Sequence, residues 1–81
     1  MAYLWFSEPV PVWIKPTKCK HVSHVEEAAE VMLRNWPKGK GRQACLTARI
    51  ACLAALDGTG SIEEARSAFE AAAREAGILG K

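Results

Sequence analysis

The chain has no stretch approaching the roughly 18 consecutive apolar residues of a membrane span. Its opening run, "MAYLWFSEPV", is too short and lacks the basic lead of a secretory signal. Cysteine is scarce: Cys19, Cys45 and Cys52 are an odd number without the spacing of a disulfide framework, and a reduced, cytoplasmic chain is the simplest reading. Acidic residues are missing from positions 9–25 and 31–56, which hold eight Lys or Arg; apart from Glu8, every acid lies in 26–30 or from Asp57 onward. The net charge of +2 is too mild to imply nucleic acid by itself, but such segregation can build a field on one side of a small domain. At 81 residues there is room for one core and no second lobe, so residues 1–81 are read as a single domain. A composition 49% hydrophobic and 25% charged excludes wholesale disorder.

Within that frame, "PVPVWI" places Val10, Val12 and Ile14 at alternate positions with Trp13 opposite, the pattern of a half-buried strand. Pro11 removes a ladder donor and favours an edge. "KPTK" is turn chemistry and "KCKHV" a return strand, giving a hairpin over about 9–22. The periodicity of "YLWF" leaves open whether residues 3–6 add a third short strand or drape over the core.

Three helices follow, over about 24–36, 42–57 and 61–76. Ser23 with Glu26 fits a capping box, as does Ser61 with Glu64. Val25, Ala29, Met32 and Trp36 share one face of the first helix, with Glu30 and Arg34 as an i,i+4 pair; Pro37 ends it. From Ala44 to Leu56 only Thr47 and Arg49 are polar, so the middle helix is expected to be largely buried and closed by Asp57-Gly58. In the third helix Ile62, Ala65, Phe69, Ala72 and Ala76 face inward, Glu70 and Arg74 pair outside, and Gly77-Ile78 predicts a Schellman ending with Ile78 returning onto Ala73. The fold class is α+β: an N-terminal antiparallel β-hairpin packed against three α-helices.

Trp36-Pro37, then "ACLTARIACLAALDG", then "SIEEARSAFEAAAREAGI" together resemble the family catalogued as domain of unknown function 982, small proteins of plant-associated and soil bacteria. The resemblance runs from the Pro-Val strand near residue 10 through Ile78 and implies the same hairpin-and-helices outline. It also implies that the segment after Trp-Pro varies, making the basic run Lys38 to Arg42 this protein's own. It carries over no activity, substrate or catalytic residue.

The chemistry on offer is slight. Lys38-Gly39-Lys40-Gly41-Arg42 precedes a helix N-terminus, where free amides and the dipole favour anions, but no P-loop or dinucleotide fingerprint is present. A nucleic-acid or anion surface would use Trp13 to stack a base, with Lys15, Lys18 and Lys20 along the hairpin and Arg34, Lys38, Lys40 and Arg42 extending the patch. No RNP1, zinc-finger or helix-turn-helix signature supports it, and edge-strand lysines also guard against aggregation. Cys19, His21 and His24 are ligand types within six residues, yet a fourth ligand would have to come from Cys45 or Cys52, which read as small core residues; no metal and no cofactor is assigned. Glu26, Glu27, Glu63 and Glu64 sit in helix first turns, where they answer the macrodipole, and no catalytic residue is assigned. Arg49, the lone charge in its helix, is expected to pair with Asp57 or a glutamate of the third helix. The resulting expectation is a non-catalytic interaction or regulatory module, self-associating or binding an unidentified protein through its helical face. Nucleic-acid or anion binding through the hairpin and the basic loop is the alternative, and no membrane role is expected.

Overall fold

The structure, a computed structural model, describes residues 4–15, 17–34, 36 and 42–80. Strand β1 (Trp5–Lys15) pairs antiparallel with β2 (Lys18–His24), and helices α1 (Val25–Arg34), α2 (Arg42–Asp57) and α3 (Ile62–Ala76) follow. This is the expected α+β outline. α1 and α3 pack against the hairpin, and α2 lies against those two helices, chiefly α3. The core is apolar throughout: Val10, Val12, Val22, Val25, Ala28, Phe69 and the alanines of α3 are buried, with no buried polar or charged residue among those described.

The hairpin follows the alternation of its sequence. Val10 and Val12 are buried while Trp13 is 44% exposed. Register shifts between Trp5 and Val10 and between Trp13 and Lys15 let an eleven-residue strand pair with a seven-residue one. Trp5 and Phe6 extend β1 rather than form a third strand. The third extended segment comes instead from the C-terminus. Gly77 takes the left-handed conformation (φ 75°), its N–H donating to Arg74 O and that of Ile78 to Ala73 O, which is the predicted Schellman ending. The turn aims the following residues along β1: Trp13 N–H donates to Ile78 O at 2.7 Å, Gly80 N–H to Pro11 O at 2.8 Å, and Leu79 bridges Val12. Pro11 has no N–H and offers this edge only its carbonyl.

Helix α3 begins with the full capping box of Ser61 and Glu64. Helix α1 does not begin with that of Ser23 and Glu26. β2 runs through His24, which pairs with Trp5, so the cap falls one residue later. His24 Nδ1 accepts the Glu27 N–H at 3.1 Å, while Glu27 Oε1 accepts the N–H of Ser23 at 3.0 Å. The same nitrogen lies 3.3 Å from Glu26 Oε1. Glu26 Oε1 also accepts Leu4 N–H, tying the start of the chain to α1. Two expected ion pairs resolve differently. Glu30–Arg34 forms at 3.8 Å, but Glu70 pairs with Arg66 rather than Arg74, because Arg66 lies half-buried between Glu70 and the carbonyl of Glu8.

The larger correction concerns α2, which is not largely buried in the single chain. Only Cys45, Ala48, Cys52 and Ala55 are buried, while Leu46, Ile50, Leu53 and Leu56 are exposed. Small residues face α3 because its own contact surface is alanine-rich, and two alanine surfaces let backbones approach where leucines would hold them apart. At the turn this closeness is sharp: a Cβ on Gly60 would come within 2.8 Å of Ala54 Cβ.

Ala48→Leu should therefore destabilise the chain by about 1–3 kcal/mol in urea unfolding through overpacking. Leu53→Ala on the opposite face should cost less than about 0.5 kcal/mol. A pH dependence follows from α1. Burial alone would raise the Glu27 carboxyl, but the Ser23 N–H and the Lys20 ammonium outweigh it and hold the group below its ordinary 4.5. A carboxylate lowered by folding contributes stability that is fully present above pH 4.5 and is lost as pH falls through the lowered value. The stability gap between wild type and Glu27→Gln, read from urea midpoints, should be widest near neutrality and shrink below pH 4.5.

Candidate protein-interaction face

Helix α2 carries two opposed apolar faces. The inner one is made of Cys45, Ala48, Cys52 and Ala55, at the 3,4-spacing of a helix packed along α3. The outer one is made of larger side chains: Leu46 is 45% exposed, Ile50 67%, Leu53 61% and Leu56 42%. Leu33 of α1, 67% exposed, lies beside them. Single exposed apolar side chains are ordinary on a protein surface, whereas contiguous ones are not. Here they are contiguous. Ile50, Leu53, Ala54, Leu56 and Asp57 line an open hollow of about 520 Å³, and Leu53 also lines a smaller one of about 130 Å³ with Ala29, Leu33 and Arg49.

The electrostatics of this face are sparse. Arg49 is exposed, lines the smaller hollow with Leu33 and Leu53, and makes no ion pair among the described residues, so the expected partnership with Asp57 or a glutamate of α3 is not formed. Asp57 is the single carboxylate at the rim of the larger hollow. The thiols nearby point the other way. Burial pushes Cys52 up to about 11, and raises Cys45 against the opposing charge of Arg49, so both stay protonated at neutral pH and behave as small apolar groups. No nucleophile with a positioned base lines either hollow. Among the described residues no group of three or more His, Cys, Asp or Glu is placed to hold a metal ion, and no helix is long and apolar enough to cross a membrane.

The described residues among those expected to form an anion or nucleic-acid surface belong to the hairpin and to the start of α2. Trp13 and Lys18 are exposed on the hairpin. Lys20 is half-buried, with its ammonium 3.2 Å from Glu27 Oε2. Arg42 begins α2, the helix whose main packing is against α3 and α1 rather than the hairpin. Lys38 and Lys40 lie outside the described residues. The apolar face was harder to read. Leu46, Ile50, Leu53 and Leu56 stand out only once the alanines and cysteines between them are recognised as the inner face, and apolar character all round conceals that division.

The model of the family described as "Protein of unknown function (DUF982)" matches residues 8–80. Comparison with curated proteins and with solved structures gave no match. The matched segment begins within β1 and ends in the tail that lies against it, so it spans most of the hairpin, all three helices and the bridge at Leu79. The chain belongs to the DUF982 family of proteins of unknown function.

Proposed function

We propose that this protein is a non-catalytic protein-interaction module whose contact surface is the outer face of α2 with Leu33 of α1. The observation that carries the reading is the contiguous exposure of Leu33, Leu46, Ile50, Leu53 and Leu56 on a chain whose remaining large aliphatic residues are wholly or partly buried among those described. Keeping five such side chains in water forgoes the transfer free energy that burial would supply, about 1.5–3 kcal/mol for each one fully buried. A partner that covers the face recovers it. The open hollows suit side chains of a second surface better than a small molecule, which needs most of its own area enclosed.

Ile50→Glu and Leu53→Glu test this. Both positions face solvent, so each variant should stay within about 0.5 kcal/mol of wild-type stability in urea unfolding. Both should abolish association, whether with itself or with another protein, measured by sedimentation and by capture against wild type. Association that survives both substitutions, or variants that unfold, would overturn the reading.

Nucleic-acid binding has less support, since Lys20 is engaged by Glu27. Mixed DNA and RNA titrated at low salt should leave the fluorescence of the exposed Trp13 unchanged. A saturable change that salt reverses would restore that function to first place.

A further inference from the structure

Helix ends are ordinarily charged to answer the macrodipole, acid at the start and base at the finish. α1 follows the rule with Glu26 and Glu27 against Arg34, and α3 with Glu63 and Glu64 against Arg74. α2 inverts it: its first turn has no acid and begins with Arg42, and its last turn has no base and ends with Asp57. Both residues are exposed, and neither makes an ion pair among the described residues. At 100° per residue, Arg42, Leu46, Ile50, Leu53 and Asp57 fall within a quarter-turn of one another, so the inverted charges bracket the apolar stripe.

We infer that the occupant of this stripe is a second copy of the chain, docked with its α2 antiparallel across a two-fold axis near Ile50. The inference rests on the reading of α2 as the contact surface and names its partner. In that register Leu46 lies opposite the partner's Leu53, and Arg42 lies opposite the partner's Asp57. Each end charge that opposes its own helix dipole then complements both the dipole and the counter-charge of the other helix. A two-fold axis forms the pair twice. The turn from α2 to α3 brings Glu63 and Glu64 to the same end as Asp57, so the acid-rich end of one copy meets the acid-free start of α2 in the other. The five exposed aliphatic side chains supply an apolar centre of the order of 500 Å². The polar margin of Arg42, Gln43 and Asp57 extends it toward the roughly 800 Å² per partner of a standard interface. Arg49 lies close to the axis, in the hollow between Leu33 and Leu53, so the guanidinium groups of the two copies approach and must splay into solvent. That repulsion keeps the association modest.

Sedimentation equilibrium of the full chain, from about 1 μM to about 1 mM, tests the pairing. Wild type should be a reversible dimer. Arg42→Glu and Asp57→Arg should each weaken it about tenfold by setting like charges against each other at both ends, and the double variant should restore it to within about threefold. Arg49→Gln should tighten it. All these residues are exposed, so folding is not at stake. A dimer abolished by Ile50→Glu but indifferent to the end charges would overturn the antiparallel register. A double variant weaker than either single one would do the same. A strictly monomeric wild type would overturn the second copy as occupant, yet leave the interaction reading standing if wild type, and not Ile50→Glu, binds another protein. Association untouched by Ile50→Glu would overturn both.

Discussion

The packing of α2 on α3 is the constraint from which the rest of the molecule follows. The buried residues are Cys45, Ala48, Cys52 and Ala55 in α2 and Ala65, Phe69, Ala72, Ala73 and Ala76 in α3, with Phe69 the one large side chain. Small-to-small packing brings helices close and fills space at little side-chain entropy cost. It also removes little apolar area per residue, so α2 is held by shape rather than by transfer of large groups from water. A 16-residue helix that assigns its small residues inward has nowhere but the outer face for Leu46, Ile50, Leu53 and Leu56. The exposed patch is thus the complement of the core contact.

On the other side of α3 a second economy operates. The Schellman turn at Gly77 stops the helix and buries Ile78, and the residues after it close the open edge of β1. One left-handed glycine therefore completes the core and covers an edge that would otherwise be available to other chains. At the opposite end Leu4 is held to α1 by its N–H on Glu26 and its carbonyl on the N–H of Val25. The start of the described chain is thus tied to α1 and its end to β1. An interface on α2 would leave those ties undisturbed.

Much of this was legible in the sequence wherever a local rule acted alone. The alternation of Val10 and Val12 against Trp13, the Ser61-Glu64 box and the Gly77-Ile78 ending depend on residues within a few positions, and the structure forms all three. The misses occurred where two rules competed. Ser23 fits a cap, but pairing of His24 with Trp5 extends β2 past it and transfers the cap to an imidazole. Glu70 is spaced for Arg74, but Arg66 is fixed by the carbonyl of Glu8, a contact 58 residues away in sequence. The bridge at Leu79 had no signal of its own, since three residues carry no periodicity. For α2 the pattern gave the right sense of the problem and the wrong answer, because apolar character all round does not say which side the single chain covers.

The division of labour between the two faces of α2 also decides how such a surface can persist. Large aliphatic residues on a free surface risk indiscriminate association, and chains limit that risk with charge. Here the guards are Arg42, Arg49 and Asp57, placed at the start, the flank and the finish of the stripe. Under the proposed pairing their signs would make the face selective, because the partner helix would have to present apolar side chains at helical spacing with opposite charge at each end. Among the described residues the same helix read in the opposite direction meets that requirement. The charges that are unfavourable for α2 as an isolated helix are the ones that give its outer face a direction.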